Sequence, residues 1–381
     1  MVEEMTRTLT KENLFVFRDL IQTRTGLFFP ESKFYAIEKI LQANFENTTF
    51  ANFSDYVLFL ESAGGERPLK NLISLLTTNE TYFFRRKSHI ALLEKHIPPK
   101  IIQREAAAAK NISIWSAGCS TGEEPYSIAI LLKKLIPHVD QWNVRILGTD
   151  IDEGALNKAV KGEYGQWSFR GLDSGMIMDS FGKTGDVYCV HQSYKSLVSF
   201  QIHNLILDQP PRAETRDGKF DIIFCRNVTI YFKKETTKVL ASKFYSVLRE
   251  GGYLIVGDAE HSAENYPLFK SKTFPGAIIY QKNEGEDPSL VLDMPLYHGL
   301  HFSKKNKGHG YSVHGDGTRL IIKHARKKKA EEETEGLLKF IQKNRSKRPQ
   351  QGISLKALEK QMKAIEKQNT SVEERRIFNE A

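Results

Sequence analysis

The sequence predicts a doubly wound α/β domain preceded by a small all-α unit. Three observations carry this reading. From residue 112 onward, short apolar runs (112–115, 144–147, 198–202, 220–224 and 253–256) alternate with helical segments. That alternation implies crossover connections and a mostly parallel sheet covered on both faces. Before it, apolar residues recur at helical spacing, and between the second and third runs residues 164–194 interrupt the order with glycines and aromatics. A chain of 381 residues exceeds one ordinary domain of about 100–200 residues. There is room for a Rossmann-like sheet domain, an inserted small β-subdomain and a helical companion.

The helical unit spans residues 1–78. Leu14, Phe17, Leu20 and Ile21 share one helical face, Thr10 is placed as an N-cap, and Gly26 is placed to stop the helix. Further amphipathic pieces fall at 32–45, at 53–60 before Gly64-Gly65, and at 69–76 after Pro68. Four short helices of this kind pack as a bundle. Residues 79–111 read as a linker, 112–282 as the sheet domain and 163–197 as its insertion. The tail, 283–381, holds 20 Lys/Arg against 14 Asp/Glu and so carries much of the formal charge of +9. Its composition is that of a largely disordered segment. Leu355, Leu358, Met362 and Ile365 could line one face of a short helix. A basic tail attracts nucleic acid, anionic membrane or an acidic protein without choosing among them.

No stretch approaches the roughly 20 consecutive apolar residues of a membrane helix. The opening Met1-Val-Glu-Glu-Met-Thr lacks the order of a signal peptide, so a cytoplasmic location is expected. Three cysteines, Cys119, Cys189 and Cys225, without CxxC spacing exclude a disulfide framework and argue against structural zinc; no metal is expected.

The most informative stretch runs from Ile112 through Gly118-Cys-Ser-Thr-Gly122 to Glu123-Glu124-Pro-Tyr-Ser127. A buried strand enters a glycine turn and then a helix. Glycines there permit a tight turn and leave room for a ligand against the main chain. The spacing departs from the G-x-G-x-x-G of a dinucleotide fold, and two carboxylates at the helix entrance would repel phosphate. Asp150, closing the second strand in Thr149-Asp150-Ile-Asp152, stands where a carboxylate accepts hydrogen bonds from a ribose. A nucleoside bearing a cationic amino-acid group satisfies these conditions, and S-adenosylmethionine is the common one. The same turn matches G-x-S-x-G, a hydrolase elbow, with Ser120 as nucleophile and Asp208 or Asp221 and His261 as partners. Against this, no oxyanion-type glycine segment precedes the turn.

Four segments together resemble the CheR-type chemoreceptor glutamate methyltransferases of bacterial chemotaxis. They are Thr78-Asn-Glu-Thr-Tyr-Phe-Phe-Arg85, Ala117-Gly-Cys-Ser-Thr-Gly-Glu-Glu-Pro-Tyr-Ser127, Gly148-Thr-Asp-Ile-Asp152 and Phe220-Asp-Ile-Ile-Phe-Cys-Arg-Asn-Val-Thr-Ile-Tyr-Phe232. A smaller signature, Phe200-Gln-Ile-His-Asn-Leu205, lies between the last two. The resemblance covers about residues 8–282. It implies a helical N-terminal domain, a linker, and an S-adenosylmethionine-dependent methyltransferase domain with a β-subdomain. It also implies that Asn79, Thr81 and Arg85 approach the cofactor from the linker, with Gly118 in the turn. Glu123 and Asp150 would bind its amino and ribose portions, with the division between them open. Asn204 and Leu205 would flank adenine, Arg226 and Asn227 would line the site, and Arg85 and Tyr231 would face the methyl group as the catalytic pair.

The implied reaction esterifies glutamate side chains on the cytoplasmic helical region of chemoreceptors and leaves S-adenosylhomocysteine. Nucleic acid is not the partner this implies, and the tail could contact an acidic partner. A cofactor-binding adaptor without transfer activity, or a methyltransferase for another substrate, is the alternative. The duller reading makes Phe83 and Phe84 core plugs, Asn227 a helix cap, Cys119 a small turn residue, His203 structural and Asp221 a partner for backbone donors. Gly257-Asp-Ala-Glu-His261 departs from the family's Gly-His-Ser-Glu type, and the tail has no counterpart in short members.

Overall fold

The computed structural model describes residues 9–95, 101–103, 110–283, 301–304 and 311–314. Most of the expected unfolded tail, including the helix at 355–365, lies outside the described residues; its described pieces at 301–304 and 311–314 are strands, not the unfolded chain the composition predicts.

Helix α1 (Lys11–Thr25) begins where Thr10 and Asn13 form a reciprocal cap and ends at left-handed Gly26, as the sequence spacing predicts. Helices α2 (Phe34–Glu46), α3 (Phe53–Glu61) and α4 (Glu66–Leu76) follow. Their buried faces, including Phe17, Ile21, Leu41, Phe45, Leu60 and Leu72, close one apolar core. Pro68 lies in the first turn of α4 rather than before it, where its missing N–H costs nothing. A helix absent from the expectation, α5 (Lys87–Lys95), occupies the linker.

The main sheet comprises β1 (Asn111–Ala117), β2 (Asn143–Asp150), β6 (Val198–Ile202), β7 (Phe220–Cys225), β8 (Leu248–Val256), β9 (Phe269–Phe274) and β10 (Ala277–Lys282). Its spatial order is β6-β2-β1-β7-β8-β10-β9. The first five strands pair in parallel, and β10 and β9 close the edge antiparallel. Alternation along β1 sends Ile112 and Ile114 into one core and Trp115 and Ala117 into the other, so helices must cover both faces. The chain winds outward from β1 through β2 to β6, then returns to start β7 against the other side of β1. A ligand crevice forms beyond the carboxyl ends of the strands at such a reversal.

Asp221, fully buried near the start of β7, accepts a hydrogen bond from the Ser113 N–H at 2.8 Å and pairs with Arg249 at 2.8 Å. It is therefore a structural carboxylate at the end of the sheet away from the crevice. The insertion forms a three-stranded antiparallel sheet from β3 (Glu163–Tyr164), β4 (Phe181–Thr184) and β5 (Val187–Val190), in the order β3-β5-β4. Phe83 of the linker plugs its core, with its ring 4.7–5.1 Å from those of Tyr164, Phe169 and Phe181. Strands His301–Lys304 and Tyr311–His314 pair with each other. Among the described residues no helix is long and apolar enough to cross a membrane.

Candidate active site

The turn after β1 is held open by its backbone. Gly118 and Gly122 have φ of 75° and 92°, and Ser120 follows them into the left-handed region at 50°. A Cβ on Gly118 would stand 2.4 Å from Val228 Cγ2, so no side chain fits between this turn and the loop after β7. Phe84 and Asn227, at φ of 54° and 61°, are strained in the same way. Three non-glycine residues in a costly conformation around one crevice mark a site whose geometry the surrounding fold enforces.

The crevice has two lobes that meet at Thr78, Gly118, Ser120 and Asn227. The first, above β2 and β6, is bordered by Asp150, Asn204, Leu205, Phe29 and Tyr231. The second, beneath the linker, is bordered by Thr81, Tyr82, Arg85, Glu124 and Arg226. Asp150 accepts from the Ser120 and Asp152 backbone N–H groups at 2.8 and 2.9 Å. Burial raises its pKa, opposed by those donors. Asn79 donates to Asp152 at 2.6 Å and accepts from the Ser120 hydroxyl at 3.2 Å, which ties the linker to the turn.

Asn204 spends its side chain on the protein. Its amide donates to the Arg24 carbonyl at 2.6 Å and its oxygen accepts from Ile206 and Leu207 N–H groups. The end of α1 is thereby fastened to the loop after β6. A bridge between Leu27 and Phe232, with Phe28 N–H donating to the Tyr231 carbonyl at 2.8 Å, fastens it again. Thr25, Leu27 and Phe29 consequently form part of the first lobe's wall. The apolar run Leu27-Phe28-Phe29 directly after the helix stop was the available signal for this contact.

The structure separates several residues that the sequence grouped. Glu123, 3% exposed, accepts from the Thr121 hydroxyl at 2.6 Å and the Ser168 hydroxyl at 3.0 Å, and borders neither lobe. Its neighbour Glu124 takes the wall position, paired at 3.0 Å with Arg226. Successive residues of a helix point in different directions, and nothing in the Glu-Glu sequence distinguishes them. Arg226 also donates to the Arg85 carbonyl at 2.7 Å, linking the helix entrance to the linker. Arg85 and Tyr231, expected to face one methyl group, border different lobes.

Asn227 is not a helix cap; its N–H is one of several held by Glu260. This carboxylate, 5% exposed, accepts from the N–H groups of Gly257 (2.6 Å), Asn227 (2.7 Å), Val228 (2.8 Å) and Thr229 (2.6 Å), and from the Thr229 hydroxyl (2.9 Å). The loop carrying Asn227 and Tyr231 thus folds around one anion contributed by the segment after β8. Glu260 sits in the Gly257-Asp-Ala-Glu-His261 segment, where the sequence departs from the family pattern.

Ser120 donates to Asn79, at 3.3 Å to its carbonyl and 3.2 Å to its amide oxygen, and Asp208 lies 3.7 Å from His203. No Ser-His-Asp chain assembles among the described residues, which removes the hydrolase reading. Burial pushes the Cys119 thiol well up, keeping it protonated.

His89, 1% exposed, borders the second lobe 3.3 Å from Asp258. Burial first, then Arg226, pushes its pKa from 6.5 down to about 3. A base with a depressed folded pKa stabilises the fold above the unfolded pKa and loses that stability as pH falls toward the folded one. Between pH 6.5 and 3, stability should fall by about 1.4 kcal/mol per pH unit from this residue. Denaturant unfolding of His89→Asn across this range should have a shallower acid slope than the unaltered chain.

A family model for the CheR methyltransferase, SAM binding domain, matches residues 79–275. A chemotaxis protein methyltransferase of Borreliella burgdorferi is 36% identical over 278 residues, covering 72% of this chain and 95% of that protein. Chemotaxis protein methyltransferase 2 of Vibrio cholerae is 34% identical, covering 70% of this chain and 91% of that protein. A probable chemotaxis protein methyltransferase of Rhizobium etli is also 34% identical, covering 63% and 89% respectively.

Proposed function

Because the chain belongs to the CheR methyltransferase family, we propose that it esterifies glutamate side chains in the cytoplasmic helical region of chemoreceptors. It is an S-adenosylmethionine-dependent methyltransferase of the chemotaxis class. The observation that carries the residue assignments is the division of the crevice into two chemically different lobes. One has a carboxylate at the end of β2 among apolar side chains, which suits a nucleoside. The other has the Glu124–Arg226 pair and Arg85, which suits the ammonium and carboxylate of an amino acid.

When bound, S-adenosylmethionine supplies an electrophilic methyl group on a sulfonium. Asp150 would receive ribose hydroxyls and Leu205 and Phe29 would cover the base, while Asn79 and Asn204 hold the lobe's walls in register. Glu124 would take the amino-acid end in place of Glu123. Gly118 and Asn227 lie where the lobes join, and Thr81, Arg85 and Tyr231 approach that junction from either side. A glutamate nucleophile with an ordinary pKa of about 4.3 is already ionised at neutral pH, so the site needs no general base. Its contributions are alignment and exclusion of water, which favour a reaction that disperses opposite charges.

The chain would work at the cytoplasmic face of the receptor array. The basic tail, 283–381, would add a weak contact to an acidic partner.

Incubation with radiolabelled donor and receptor-bearing membranes should give a product that releases methanol in mild alkali. An alkali-stable label would refute ester formation. Arg85→Ala should lower kcat/KM by roughly 10- to 100-fold, about 1.4–2.7 kcal/mol of transition-state stabilisation. Normal turnover and donor affinity in both Arg85→Ala and Tyr231→Phe would remove these two residues from the reaction.

A further inference from the structure

We infer that the stack of Trp167, Arg170 and Tyr82 is the docking point for the glutamate-bearing helix of the protein substrate, an inference that rests on the receptor reading above. Trp167 sits on the short turn Gln166–Phe169 of the insertion and is 72% exposed. The fold has no use for it, because the insertion's core is filled by Phe169, Phe181 and Phe83. An exposed indole outside the apolar core is a common mark of an interaction site when it belongs to a larger prepared surface.

Here the surface is prepared. The Arg170 guanidinium lies 4.6 Å over the Trp167 ring and 4.0 Å over the Tyr82 ring. It is fixed in that plane by donating to the Trp167 carbonyl at 2.9 Å and to Glu80 at 3.1 Å. The aromatic faces are thus held before any partner arrives, which lowers the entropic cost of binding. The stack is continuous with the active site, because Glu80 and Tyr82 also border the Arg85 lobe. Arg85 itself lies 5.7 Å from the Tyr82 ring and donates to the Glu80 carbonyl at 2.8 Å.

The partner this chemistry fits is an amphipathic acidic helix. Its apolar face would cover the indole, while its carboxylates would meet the Arg170 and Arg85 guanidinium groups beside the lobe where one carboxylate reacts. Tryptophan, tyrosine and arginine are the residues that concentrate binding energy at interfaces.

The test uses the full chain, S-adenosylhomocysteine and a soluble cytoplasmic helical fragment of a chemoreceptor. Trp167→Ala should weaken binding of the fragment at least tenfold and raise its KM. Affinity for S-adenosylhomocysteine and kcat at saturating fragment should stay unchanged, and Trp167→Tyr should restore most of the loss. Unchanged fragment affinity in Trp167→Ala would overturn the inference. So would a parallel loss of S-adenosylhomocysteine affinity, which would make the stack a support of the cofactor lobe. Failure of the receptor-ester reading would look different: the unaltered chain would bind the fragment through Trp167 and form no alkali-labile ester.

Discussion

Glu260→Ala is expected to be the most damaging single substitution outside the core, lowering both stability and donor affinity. The carboxylate satisfies five backbone N–H groups, four at 2.6–2.8 Å and that of Ile230 at 3.3 Å, and one hydroxyl at 2.9 Å. Each buried donor left without a partner costs about 1–3 kcal/mol. Even if water recovers some of them, a net loss of about 3 kcal/mol is expected, a fall in Tm of roughly 6–12 °C for a domain of this size. Asn227 and Tyr231 are carried on the same loop, and Val228 packs against Gly118, so affinity for S-adenosylhomocysteine should fall as well. Glu260→Gln should recover only part of either loss, since an amide replaces an accepting oxygen with a second donor facing other donors. Thermal melting and calorimetric titration of both variants check this; a melting temperature within 2 °C of the unaltered chain would show the loop is held by other contacts.

Asp150→Ala should reduce affinity for S-adenosylhomocysteine by roughly 100-fold, about 2.7 kcal/mol, because hydrogen bonds to a charged group are worth about 1.5–3 kcal/mol. Asp150→Asn keeps the shape and one acceptor and should lie between. The pH dependence follows from the raised pKa of the buried carboxyl. As pH falls through that raised value, the ionised acceptor disappears and donor binding should weaken. The effect on stability runs the other way: for an acid whose folded pKa is raised, the favourable contribution is fully present below the unfolded pKa and is lost as pH rises through the folded one. Calorimetric titration from neutral to acid pH, with Asp150→Asn as the pH-insensitive comparison, separates this carboxyl from His89, which acts on stability in the opposite direction.

Much of the site was legible because the residues lie in short, local patterns. Gly118, Gly122 and Asp150 follow from strand–turn–helix geometry, in which the positive φ of the glycines and the end of the second strand are consequences of neighbouring sequence. The antiparallel pair β9 and β10 is not signalled by the sequence: Lys270 and Lys272 interrupt the apolar pattern of the edge strand β9, and β10 offers only the short run Ala277-Ile-Ile-Tyr280 beside it. Glu123 and Glu124 could not be told apart, because helix phase depends on how the helix docks. Glu260 gave no signal, because its partners other than Gly257 lie 30–33 residues away in the chain and meet it only through the return of β8 beside β7.

The sequence by itself determined the alternating strands and helices, the glycine turn, the family motifs and the carboxylate beyond β2. All of these depend on periodicity or on residues within a few positions of one another. Only the tertiary structure decided which glutamate faces the crevice, that Arg85 and Tyr231 stand in separate lobes, and that the end of α1 walls one of them. Those outcomes depend on contacts between segments far apart in the chain, whose geometry is set by packing across the sheet and not by local propensity.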